Sequence, residues 1–152
     1  MNIEQEKDTG EILSYLQMIQ GTIDRMATSS AIFKGFTATI VAGGVSVISF
    51  LEVNGWILFL SFIPVLCFMS LDVYYLQLER RYRFLYEQVR TNQKDLDFNL
   101  RPPQVKEILI IDDKENVRIW SCLKSPSIAL FYIPIVGIRV IGLILNFGGC
   151  LK

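Results

Sequence analysis

Few residues in this 152-residue chain have the chemistry of an active site. It contains no histidine, which removes histidine triads, histidine metal ligands and the usual proton shuttle near neutral pH. Cys67, Cys122 and Cys150 are widely separated and form no CxxC, so neither a metal-ligand set nor a redox pair is spelled out. Asp112-Asp113 is the only adjacent acidic pair, and it reads as a helix cap or turn. Glycine-rich phosphate loops, nucleophile elbows and zinc-protease signatures are all missing. We therefore expect no enzyme, no cofactor and no metal. Lysine plus arginine and aspartate plus glutamate number 15 each, so no net field favours nucleic acid.

One residue does pose a chemical problem. Arg139 is the sole charge in the apolar run SIALFYIPIVGIRVIGLILNF, residues 127–147. An arginine in the middle of a membrane helix costs about 2.5–3.5 kcal/mol on insertion scales. Three devices can offset this: snorkelling toward the outer surface, pairing with Glu52, or a polar, water-lined pathway in an oligomer. Glu52 is the nearest carboxylate by depth, whereas Asp72 is expected at the inner edge.

The elements that must position these side chains are set by the distribution of charge. No charged residue occurs in 35–51 or in 53–71, and 127–147 has only Arg139. A hydrocarbon core about 30 Å thick needs roughly 20 apolar residues as helix, so each run is expected to span a bilayer. Hydrophobic residues make up 51% of the chain, too many for its polar remainder to cover in water. The first run begins after a long polar segment, unlike a secretory signal. Lysine and arginine number three in 1–34, none in the loop 52–55 and ten in 73–126. The positive-inside rule therefore puts the N-terminus and 73–126 in the cytoplasm. The expected segments are a cytoplasmic amphipathic helix (1–34), a hairpin (35–72, spans 35–51 and 54–72), a cytoplasmic helical extension and connector (73–124), and a third span with a short tail (125–152).

Asp8-Thr9-Gly10-Glu11 has the form of a capping box. Beyond it Ile12, Leu16, Ile19, Ile23 and Met26 step by four and three, a two-heptad seam. Tyr75, Leu78, Tyr82, Leu85 and Val89 repeat the pattern, and no glycine or proline occurs between 69 and 99. One helix from about 55 to 90 is expected, its seam packing on the first or on copies in other subunits. Arg80, Arg81 and Arg83 would meet lipid headgroups. Pro102-Pro103 ends the helical region. VKEILII, residues 105–111, reads as a short strand, followed either by an interfacial helix capped by Asp112 or by a hairpin partner, VRIW. In the helical reading Val117 and Trp120 face the membrane surface. Pro126 suits the first turn of the third span.

Gly35, Thr39 and Gly43 step by four, as do Ala38, Ala42 and Ser46. Such small residues let helices approach closely, within a subunit or between subunits. Pro64 and Pro134 are expected kink points.

The segments YLQMIQGTIDRMATSSAIFKGF, LDVYYLQLERRYRFLYEQVR and WSCLKSPSIALFYIP resemble small bacterial multi-span membrane proteins. A membrane hairpin with a helical cytoplasmic extension is also similar to the transmembrane effectors of anti-phage defence. The resemblance implies an inner-membrane protein that oligomerises and compromises the bilayer once a partner detects infection. The sequence as a whole reads as an all-α integral membrane protein with three transmembrane helices and helical cytoplasmic extensions. Its expected partners are the lipid bilayer, further copies of itself and a cytoplasmic protein. Its expected role is to alter membrane permeability, with a non-conducting scaffold or sensor subunit as the alternative.

Overall fold

The computed structural model describes residues 3–50, 59–91, 98–112 and 117–147, with side chains at 9–44, 59–91, 98–111 and 117–144. Every regular element among them is helical: α1 (Ile3–Phe50), α2 (Phe62–Arg90), α3 (Val105–Asp112), α4 (Ile119–Leu123) and α5 (Pro126–Phe147). The chain divides into two units, Met1–Ser29 with Tyr75–Cys122, and Ser30–Tyr74 with Leu123–Lys152.

In the first unit the two seams meet. Ile19 and Ile23 of α1 and Leu85 and Val89 of α2 are buried in one cluster, with Leu16 and Tyr82 packed against it. Tyr15, which the heptad spacing does not include, is fully enclosed there as well. It lies one turn before Ile19 on the same ridge. The proposed capping box is not used as a cap. Helix α1 already runs from Ile3, because Glu4, Gln5, Glu6 and Lys7 are good helix formers that extend it upstream.

The connector after α2 is tied down by side chains. The Tyr15 hydroxyl donates to the Asn99 carbonyl at 2.6 Å, and the rings of Tyr15 and Phe98 are 5.4 Å apart. Phe98 sits at φ 49°, a left-handed conformation costly for an aromatic residue. Arg81 donates from Nε to the Pro103 carbonyl at 2.9 Å and from Nη2 to that of Pro102 at 3.4 Å.

The strand and hairpin readings of VKEILII are overturned: these residues form helix α3. The Gln104 amide donates to Glu107 Oε2 at 2.8 Å, the back-bond of a capping box, which starts a helix directly after the prolines. The later short helix is α4, beginning at Ile119. Trp120 is exposed, but Val117 is buried and its carbonyl accepts from Gln77 Nε2 at 2.9 Å, so it does not face outward as expected.

Two helices are long and apolar enough to cross a membrane, Phe62–Arg90 and Pro126–Ile144. Among the described residues the count is therefore two, not three. The first run, 35–51, forms the end of α1, and its side chains beyond residue 44 lie outside the described residues. The continuous helix expected from 55 is also revised, since Ser61 is a turn residue and α2 starts at Phe62. Pro64 explains the break: it has no N–H for the Leu60 carbonyl, and its ring crowds the preceding turn. Helix α5 continues through Pro134. It starts where expected, the Ser125 carbonyl accepting from the amides of Ile128 (3.0 Å) and Ala129 (2.9 Å).

Candidate functional site

The interior of the second unit is more polar than its outside. Ser30, Lys34, Thr37 and Gly44 of α1 lie at spacings of four, three and seven, one face of a helix. Against this face α2 brings Asp72 and α5 brings Tyr132 and Arg139. Two polar groups result.

Asp72, fully buried, is the centre of the first. Ser30 Oγ donates to its Oδ1. Lys34 Nζ lies 2.8 Å from Oδ2, an ion pair by distance, and donates at 2.8 Å to Ser30 Oγ. The three groups form a closed triangle drawn from two helices. The Lys34 side chain keeps 19% of its surface exposed while that of Asp72 keeps none, so the lysine alone retains access to solvent. Thr37, also enclosed, donates at 2.8 Å to the Phe33 carbonyl. The Tyr132 hydroxyl is enclosed beside Thr37 and Asp72 without a well-formed hydrogen bond.

Arg139 is the centre of the second. It is 8% exposed, and its Nη1 donates to the Ser61 carbonyl at 2.9 Å and to the Ser61 hydroxyl. Its Nε is buried with no acceptor among the described residues. The guanidinium is thus turned inward onto the turn at Ser61, whose carbonyl accepts from a side-chain donor. Nη2 would lie 3.7 Å from a Cβ placed on Gly44, so α1 also approaches closely here. Glu52, the expected partner, lies outside the described residues.

Other expected site residues are dispersed. Gly35, Thr39, Ala42 and Gly43 face outward, and a Cβ on Gly35 or Gly43 would meet nothing within 4 Å. Among the described residues nothing packs closely on the glycines of the small-residue stripe. The α1 face that does pack presents Phe33 to Phe68, ring centroids 6.2 Å apart. The side chain of Ser46 lies outside the described residues. Ile12, Leu16 and Met26 are half-buried beside the buried Ile19 and Ile23. Arg83 pairs with Glu79 at 2.7 Å on an exposed face, while Arg81 is engaged with the prolines.

Arg80 stands near Cys122. Burial pushes the Cys122 thiol above its ordinary range, and the Arg80 charge opposes this more weakly. The thiolate is the reactive form, so Cys122 should resist iodoacetamide at pH 7.5 until the protein is denatured. Peptide mass spectrometry after timed alkylation checks this; rapid labelling of the native protein would contradict it.

Sequence reasoning missed Ser30, Thr37, Ser61, Tyr132 and the Lys34–Asp72 pair. The signal for the first two was present: the seam spacing of α1 continues past Met26 to Ser30 and Thr37 with polar residues in place of apolar ones. No protein-family model, curated protein or solved structure matches this chain.

Proposed function

We propose that this chain is an inner-membrane protein of three spans, N-terminus in the cytoplasm, that acts without catalysis as a homo-oligomer to change the permeability of the bilayer. One observation carries the membrane reading: the second unit exposes large apolar side chains while it encloses polar and charged ones. Leu130, Ile133 and Ile138 are 79, 68 and 67% exposed, while Asp72, Thr37 and Arg139 are 0, 1 and 8% exposed. In each of the two apolar helices only 17% of the most apolar 18-residue window is buried. Water penalises such surfaces at about 25 cal/mol per Å², whereas lipid does not.

The permeability reading is supported by ionisable groups at membrane depth, which by default mark ion or substrate pathways. The resemblance to anti-phage effectors points the same way and supplies a trigger, a partner that detects infection. Expression with a potential-sensitive dye tests it. The wild-type protein should depolarise the cells, and Arg139→Leu should remove most of the response. No response under strong expression, or an unchanged one in the variant, would sink the reading.

A scaffold or sensor subunit is the second reading. It is favoured by a groove of about 430 Å³ in the first unit, lined by Gln88, Asn99, Arg101, Pro102, Gln104 and Glu107 among others, which suits a polar cytoplasmic partner. A stable hetero-complex recovered from cells with intact membranes would select it; a ring of identical subunits would select the first.

A further inference from the structure

On its apolar outside the second unit carries an open crevice of about 490 Å³ between α2 and α5. Leu66 and Met69 form one wall, and Ala129, Ile133 and Gly137 lie along the other. These last three stand at four-residue intervals on one ridge of α5, and the small residues at either end lower it. A Cβ on Gly137 would meet nothing within 4 Å, so the space beside it is open. The lining is almost entirely apolar, and the crevice begins at Leu123. Lys124 follows directly and is exposed. Lys34, the other described lysine of this unit, is already paired with Asp72.

We infer that this crevice holds one acyl chain of an anionic phospholipid from the cytoplasmic leaflet, with its phosphate on Lys124. The inference rests on the membrane-embedded part of the proposed function and is independent of conduction. Length and charge select the occupant. From Pro126 to Gly137 α5 rises about 17 Å, about one leaflet of a hydrocarbon core about 30 Å thick. The exposed charge stands at the Lys124 end, the cytoplasmic side of the expected topology, where anionic headgroups lie, while Arg139 beyond Gly137 is turned inward onto Ser61. A second copy of an apolar helix would bring no phosphate to that end.

The full chain, extracted in mild detergent, is incubated with mixed micelles of phosphatidylglycerol and phosphatidylcholine, and bound phospholipid is counted by native mass spectrometry. The wild type should retain about one phospholipid per chain, with phosphatidylglycerol preferred about fivefold, the worth of one lysine near a charged surface. Gly137→Leu fills open space without disturbing neighbours and should abolish retention. Lys124→Gln should keep the lipid and lose the preference. Equal retention by Gly137→Leu overturns the inference, as does an absence of headgroup preference in the wild type. So does self-association in place of lipid binding, if Gly137→Leu abolishes it. A chain that stays soluble without detergent overturns the membrane reading and the lipid site together, which separates that failure from the others.

Discussion

Lys34→Met should destabilise the protein by about 3–5 kcal/mol, the usual cost of removing one partner from a buried ion pair. The reason is the asymmetry of exposure. Asp72 is completely enclosed, and without Lys34 its charge has no counter-ion among the described residues and keeps only the neutral hydroxyls of Ser30 and Tyr132 beside it. Asp72→Leu should cost less, because Lys34 keeps a partly exposed side chain that can bend toward solvent. The double variant Lys34→Met/Asp72→Leu should recover most of the loss, since two apolar residues in place of a buried pair are often neutral or better. Thermal aggregation of the four proteins in the same detergent measures the cycle. A double variant as unstable as the sum of the singles would mean that the two charges are not coupled.

Leu85→Ala should cost about 2–5 kcal/mol, the range for deleting a leucine from a packed core. Leu85 is fully enclosed where the seams of α1 and α2 meet, between Tyr15, Ile19, Ile23 and Val89. Its loss leaves a cavity that two stiff helices cannot close by small shifts. Met18→Ala, on the exposed side of α1, is the control and should stay within about 0.5 kcal/mol of wild type. Hydrogen exchange across residues 12–26 and 78–90 reports both. The cavity variant should lose protection in both segments, because they form one cluster. Unchanged protection there would show that the seams do not hold each other.

Much of the scaffold was readable before any coordinates. The seam residues Ile19, Ile23, Leu85 and Val89 all lie in the core of the first unit, because apolar period and helical period are the same signal. Pro126 does open α5, since proline fixes the backbone angle a first turn requires. Local signals failed where two uses of the same residues compete. VKEILII is rich in β-branched residues, yet Glu107 caps the turn behind Pro103 and makes a helix of it. Asp8 and Glu11 have the spacing of a cap, yet the helix began earlier.

The amino-acid sequence by itself determined that the chain is helical, where the apolar segments lie, and that one of them carries an arginine. Periodicity and charge are properties of single helices, so one strand of text records them. Only the tertiary structure decided what the charges touch. Asp72 meets Ser30 across 42 positions of chain and pairs with Lys34 as well, and Arg139 reaches Ser61 across 78. It also turned the glycine stripe outward and a polar stripe inward. Which face of an evenly apolar helix is buried depends on the shapes of its neighbours, and hydropathy along one helix does not encode them.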